Sequence, residues 1–295
     1  SIEGGGVEKN FFLLLKYLSK KIEKIYVVTA DKKKSNLKKI IYICPSSNKW
    51  GTKGRLLKNL ICIFLLIKNF WSKKPVILSF QSNISAIIIS KLFGFKILIR
   101  LNTSLNKYVN NFFKKIIFRT FYSLSDKIIV NSRLFQKELL DMNLKSYLIY
   151  NLVEPAKKKG NLKFFKGFNG LKILNIGRLT EQKDHLTLIK GLKILKEKNV
   201  NFRCCIIGRG PCREKVLEKI LKSDLKKVVK LIGYKDNAEQ FIHQSNIFVL
   251  SSKYEGLPNV LIEAQKYDTP VISSNCPTGP NEILLNGKLG DLFPV

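Results

Sequence analysis

Histidine is almost missing from this 295-residue chain, which has two, and methionine occurs once. Two histidines, 185 and 243, and six cysteines without a CxxC pair give no ligand spacing of a zinc site, so no metal is expected. The cysteines (44, 62, 204, 205, 212 and 276) read as reduced, mostly buried thiols of a cytosolic protein. The longest apolar run, NLICIFLLI at 59–67, is closed by Lys58 and Lys68, well short of the roughly 20 residues that span a bilayer. The opening SIEGGGVEKN has neither the basic nor the apolar region of a signal peptide, and it lacks an initiating Met. Acid is scarce too: 21 Asp or Glu stand against 53 Lys or Arg, a net charge of +32. Such a field attracts polyanions. Only 8 of those cations are Arg, the side chain that reads base edges, and no nucleic-acid-binding motif is present. Nucleic acid is therefore not the expected partner.

What the chain does have is rhythm. Short apolar runs alternate with amphipathic helical stretches, the pattern of an α/β protein with parallel sheets. KIYVVTA (24–30), PVILSF (75–80), FKILIRL (95–101), DKIIVNS (126–132) and SYLIYN (146–151) read as strands, with helices at 7–21, 53–71, 83–93 and 107–124. Residues 152–170 interrupt the pattern with Pro155, three glycines and a lysine run. The rhythm then resumes with strands LKILNIG (171–177), FRCCIIG (202–208), VVKLIG (228–233), NIFVLSS (246–252) and TPVISS (269–274). Helices are expected at 184–198, 211–222, 236–243 and 258–267. Three segments follow: an N-terminal α/β domain at 1–155, a linker at 156–170 and a C-terminal α/β domain at 171–295. The charge is uneven, with 28 Lys or Arg against 7 acids in residues 1–150 and 25 against 14 in the remainder.

Polar residues and glycines of the second half collect where strands end. Arg178 follows strand 171–177 directly, and Lys183 stands five residues on at a helix start. Two cations at one strand–helix corner can clamp a diphosphate, Arg by its fork and Lys as a point charge; a solvated loop is the alternative. Gly208 and Gly210 in IIGRGP, and Tyr234 after Gly233, repeat the placement. In KYEGLPNVLIEAQ (253–265), Gly256, Leu257 and Pro258 lead into a helix whose free N–H groups suit an anion. Glu263 lies about 7–8 Å along that helix from Pro258 at 1.5 Å per residue, out of reach of phosphates but placed for a ribose. Glu255 would then meet hydroxyls at the other end. A diphosphate with a hydroxylated ring on each side is a nucleotide sugar.

These residues, in this order, resemble the retaining glycosyltransferases of the large family 4, which have the GT-B fold of two Rossmann-like α/β domains facing a central cleft. GGVE at 5–8 is similar to that family's N-terminal GGxE loop, and GPNEILLNGKLGDLF (279–293) to the segment after its second Glu. CPTGPNEIL (276–284) is similar to members that build lipid-linked oligosaccharides or lipopolysaccharide. The resemblance implies that Arg178 and Lys183 stabilise the leaving diphosphate, that Glu255 meets the transferred sugar, and that Glu263 holds the ribose. Gly256, Leu257, Pro258, Gly208, Gly210 and Tyr234 would complete the donor site, with Gly5 and Gly6 facing it across the cleft. No metal or other cofactor is implied. Where many relatives carry a His, after the N-terminal-domain strand that here ends in IRLNTS (99–104), Asn102 or Thr103 stands. A strand before the GGxE loop and helices beyond GDLFPV are normal for the family and are expected to be missing from this chain.

The expected activity is transfer of a hexose or N-acetylhexosamine from a UDP sugar to a glycan or polyprenyl-diphosphate-linked glycan, in cell-envelope polysaccharide synthesis. The expected location is cytoplasmic, on the inner face of the membrane if the acceptor is lipid-linked. A nucleotide-sugar or anionic-membrane binding module without turnover is the alternative, and after it a nucleic-acid-binding protein. The basic, aromatic stretch 107–126 is a candidate for the membrane surface, though a helix packed on its sheet with a solvated lysine face is the plainer reading. His185 and His243 read as surface or helix-packing residues.

Overall fold

A computed structural model of the chain describes residues 6–31, 39–47, 50, 53–102, 111–154, 160–236 and 238–295. The chain divides into two compact units, Ser1–Leu152 and Val153–Val295.

In the first unit, helix α1 (Gly6–Leu18) leads to β1 (Ile25–Val28) and β2 (Ile40–Ile43), a parallel pair. Helix α2 (Arg55–Phe70) follows. A four-stranded parallel sheet is then built in chain order: β3 (Val76–Ser79), α3 (Asn83–Leu92), β4 (Lys96–Arg100), α4 (Phe112–Ser123), β5 (Lys127–Val130), α5 (Arg133–Leu140) and β6 (Ser146–Leu148). β4 is the buried centre, with Ile97 and Ile99 fully enclosed against Ile87 of α3 and Phe135 and Leu139 of α5. Local chemistry starts the helices: Asn111 accepts from the Lys114 amide at 2.9 Å ahead of α4, and Ser132 from the Phe135 amide at 3.2 Å ahead of α5. β2 is absent from the sequence reading, because four residues offer too little periodicity to register. Helix 107–124 is shortened to Phe112–Ser123; residues 103–110 lie outside the described residues.

The second unit is a six-stranded parallel sheet flanked by helices. Its strands are β7 (Leu171–Ile176), β8 (Phe202–Ile207), β9 (Val229–Gly233), β10 (Ile247–Leu250), β11 (Val271–Ser274) and β12 (Asp291–Phe293), in the order β12-β11-β10-β7-β8-β9. Helices α6 (His185–Glu197), α7 (Arg213–Lys222), α8 (Asn259–Gln265) and α9 (Pro280–Ile283) connect them. The expected helix at 236–243 is a 3-10 turn over Ala238–Gln244. The strand order runs outward from β7 in one direction and from β10 in the other. The β7/β10 seam is therefore the topological switch point, where loops at the strand C-termini diverge and leave a crevice.

The expected linker needs correction. Residues 155–159 lie outside the described residues, but 160–170 is part of the second unit's fabric. Leu162 and Phe165 are buried in its core with Phe241, Ile242 and Leu261. The Gly160 amide donates to the Gln240 carbonyl at 2.9 Å, and the Leu162 amide to Gln244 Oε1 at 2.6 Å. The glycines suggest a tether, but two apolar side chains three residues apart have a core to fill. Phe165→Ala is expected to destabilise the second unit by roughly 3–5 kcal/mol, read by denaturant unfolding; a tether residue would cost almost nothing.

Candidate functional site

The two loops that leave the switch point carry most of the residues singled out from sequence. The loop after β7 holds Gly177, Arg178 and, at the end of a 3-10 turn (Glu181–Lys183), Lys183. The loop after β10 holds Ser251 to Pro258 and ends at α8. Backbone and side-chain bonds stitch the two together. The Lys253 amide donates to the Gln182 carbonyl at 2.8 Å, Gln182 Nε2 to the Tyr254 carbonyl at 2.9 Å, and Ser251 Oγ to the Lys183 carbonyl at 3.0 Å.

At their junction Lys183 Nζ and Glu255 Oε1 form an ion pair, with side chains only 14% and 8% exposed. Ser252 Oγ donates to the same carboxylate oxygen at 2.5 Å. Both bonds fall on Oε1, and Oε2 has no partner among the described residues. Behind the pair, Ser274 Oγ at the end of β11 donates to the Ser252 carbonyl at 2.6 Å, and Thr278 Oγ1 donates to the Glu255 carbonyl. A buried carboxylate is thus held by one cation, one hydroxyl and a second tier of hydroxyls that fixes its backbone. Serines 252 and 274 and Thr278 carry no motif spacing that sequence reading could use; only their place after strands marks them.

Arg178 is exposed, and its side chain has no partner among the described residues. Glu263 on α8 is buried, 5% exposed, as are Gly256, Leu257 and Pro258 ahead of it. Pro258 is the residue before the first helical turn. The glycines of the β8 loop are required on steric grounds. A Cβ on Gly208 would lie 1.8 Å from the Gly177 carbonyl oxygen, and one on Gly210 2.3 Å from that of Leu179. Gly279, at φ 86°, presses likewise on Gly256, where a Cβ would come within 2.4 Å of the carbonyl oxygen. The floor of the site is main chain against main chain. At its β9 edge the Arg209 guanidinium lies 4.6 Å over the ring of Tyr234.

Gly5 lies outside the described residues, and Gly6 opens α1 in the first unit with open space at its Cβ position. At the first unit's β4 end, Asn102 Nδ2 donates to the Phe80 carbonyl at 3.3 Å, and Thr103 is outside the described residues.

Two neighbours of the ion pair are perturbed. Burial, reinforced by the Glu255 carboxylate, pushes the Cys276 thiol up to about 12, so it stays protonated. His185 opens α6 beside Lys183 and is 2% exposed, with neither ring nitrogen hydrogen-bonded. Burial and then the Lys183 charge lower its pKa to about 4. It is a packed, neutral imidazole rather than a surface one. Among the described residues no group of three or more His, Cys, Asp or Glu is arranged to hold a metal.

Comparison with known proteins matches residues 160–295 to the family described as glycosyl transferases group 1. The uncharacterized glycosyltransferase MJ1059 of Methanocaldococcus jannaschii is 32% identical over 95% of this chain and 75% of its own length. A Campylobacter jejuni protein is 25% identical over the whole of this chain and 84% of its own length. It is named N-acetylgalactosamine-N,N'-diacetylbacillosaminyl-diphospho-undecaprenol 4-alpha-N-acetylgalactosaminyltransferase. The chain spans under half the length of two further curated relatives. Among solved structures, Anabaena HepE in complex with UDP-glucose superposes with a TM-score of 0.73 over the whole chain and 83% of its own, at 15% identity. That likeness establishes the fold, two Rossmann-like α/β units of GT-B type.

Lys183→Met is expected to cost roughly 3 kcal/mol by leaving a buried carboxylate unpaired, and Lys183→Met/Glu255→Gln to regain most of it; a denaturant-unfolding cycle measures both. For His185, the unfolded imidazole titrates near 6.5 and the folded one near 4. As pH falls the unfolded chain takes up the proton first, so stability is full above pH 6.5 and is lost toward pH 4. The loss amounts to about 3 kcal/mol at most and should vanish in His185→Asn.

Proposed function

The chain belongs to the group 1 glycosyl transferases, and on that premise we propose that it is a retaining enzyme of family 4 that uses a UDP sugar. The observation that carries the reading is the buried Lys183–Glu255 pair at the β7/β10 switch point, with the unpaired Arg178 on the same loop. Ligands of open parallel sheets bind at this end of the strands and at this seam.

In this reading the diphosphate of the donor lies against the 177–183 loop. Lys183 gives one N–H to Glu255 and keeps two for phosphate oxygens, and Arg178 closes on them from the surface with its planar fork. As the sugar–phosphate bond lengthens, negative charge grows on the departing nucleotide, where two fixed cations are already in place. That arrangement assigns the charge to side chains instead of a divalent ion, and turnover is expected to persist in EDTA. Glu255, anchored through Oε1, offers Oε2 to a hydroxyl of the transferred sugar. Ser252 keeps that carboxylate from rotating out of reach. Glu263 takes the ribose hydroxyls, and the Arg209–Tyr234 stack edges the base.

HepE, seen with UDP-glucose, supports the choice of uridine. The Campylobacter relative, whose name gives it an undecaprenyl-diphosphate-linked acceptor, supports a polyprenyl-linked glycan as the acceptor and a hexosamine as the sugar. Such an enzyme would work in the cytoplasm.

Calorimetric titration with UDP and GDP tests the donor site. UDP is expected to bind more tightly than GDP at about 150 mM salt, and Glu263→Ala and Arg178→Ala each to weaken it roughly tenfold or more. Equal, salt-sensitive binding of both nucleotides, unchanged by either substitution, would mean that the charge alone holds them.

A further inference from the structure

A buried residue whose role is packing alone gains nothing from being a histidine, because a leucine fills the space without stranding a donor and an acceptor. His185 is buried with both Nδ1 and Nε2 unbonded. It stays neutral there, since burial and the Lys183 charge hold its pKa down to about 4, so the ring carries one N–H and one lone pair. Thr180 repeats the anomaly. It stands at the N-cap of the 3-10 turn Glu181–Lys183, yet its hydroxyl caps nothing and is buried without a partner. Both side chains line one small cavity, walled also by Glu181, Asp184, Cys212 and Lys215, with room for a single water-sized molecule. On that wall Lys215 Nζ pairs with Glu181 Oε1 at 2.8 Å, and Cys212 Sγ lies 3.6 Å from the same oxygen. Three stranded polar atoms at a space of that size are the setting of an internal water.

Between Thr180 and His185 the chain makes the turn that presents Lys183. Asp184 is left-handed there, at φ 40° and ψ 54°, an uncommon conformation for a residue with a side chain. Thr187 Oγ1 donates to Asp184 Oδ2 at 2.8 Å, and Ser251 Oγ holds the Lys183 carbonyl at 3.0 Å. The Lys183 stem lies over Gly177, where a Cβ would come within 3.5 Å of its Cγ and Cδ. Lys183 therefore has a narrow path to Glu255, set by the backbone on either side of it. A strained turn persists only where its flanks are fixed. We infer that His185 is a positioning residue for Lys183: a water bound between His185 and Thr180 ties the two ends of the 180–185 turn together and so aims the ammonium group at Glu255. The inference stands on the cavity and the turn; only its consequence for nucleotide binding rests on the donor-site reading.

The test is the coupling between Lys183 and Glu255, measured by a denaturant-unfolding cycle of Lys183→Met and Glu255→Gln. The cycle is run in the native chain and in His185→Leu and Thr180→Val backgrounds. Expressed as a factor in the unfolding constant, the coupling is expected to shrink about tenfold or more in both backgrounds. It should recover in one of His185→Asn and His185→Gln, which keep a donor and an acceptor near the ring nitrogens. Nuclear magnetic resonance of the imidazole gives a second reading, and Thr180→Val keeps the test open if His185→Leu does not fold. Near pH 7 the ring is expected as one neutral tautomer, its N–H in contact with a water proton, and the contact should disappear in Thr180→Val. Weaker UDP binding in the same variants would support both readings. A reduced coupling with UDP affinity unchanged would support this inference and count against the donor site. Two results would overturn it. One is a coupling unchanged in both backgrounds, however much stability is lost, which would leave His185 a packing residue. The other is a ring that exchanges between tautomers without any contact to water.

Discussion

The arrangement of the second unit turns on one constraint: a carboxylate, Glu255, is buried against a cation. Burying an ion costs several kcal/mol unless it is paired and its remaining valences are met. Here the partner cation comes from the neighbouring loop, so the pair exists only when the β7 and β10 loops are in register. The Gln182–Tyr254 and Ser251–Lys183 bonds, the Ser274 and Thr278 hydroxyls and the Gly279 turn all serve that register. Fold and site are therefore one problem in this unit. The switch point supplies the crevice, and the ion pair fixes the two loops that border it.

Much of this is legible in the sequence, for a physical reason. Strands that feed a site end in glycines and charges, which interrupt an apolar run at its C-terminal edge. Arg178, Lys183, Gly208 and Glu255 are visible in that way, and the structure bonds Lys183 to Glu255. Ser252, Ser274 and Thr278 are not visible, because a hydroxyl that fixes a backbone carbonyl has no required spacing. For His185 the linear pattern allows either a surface or a packing position. Its burial with two unbonded nitrogens depends on tertiary neighbours that such a pattern does not contain.

Two differences between sequence and structure share a cause. The glycines of 160–170 suggest a tether, yet Leu162 and Phe165 have the size and spacing to enter a core. Periodicity in 53–71 identifies a helix correctly but not which face turns inward. Lys58 is buried on a helix that also buries Phe70 and exposes Phe64, since Asp31 supplies an internal partner for the ammonium group. Composition and period identify elements; the orientation of an element depends on what the rest of the chain offers it. The two α/β units are legible in the alternation of strand and helix with a break near residue 155, and the resemblance of the motifs at 177–183 and 255–263 implies the GT-B fold.

The contacts of Gly208 with Gly177 and of Gly279 with Gly256 bear on how such a site diversifies. Where peptide groups touch peptide groups, no substitution adds a side chain without moving a loop, so the floor is closed to gradual change. Variation is left to the rim, to positions such as Arg209, Tyr234 and the exposed Arg178, whose exchange leaves the floor intact. A lineage built on this floor can vary its rim in single steps while the backbone geometry beneath it stays fixed.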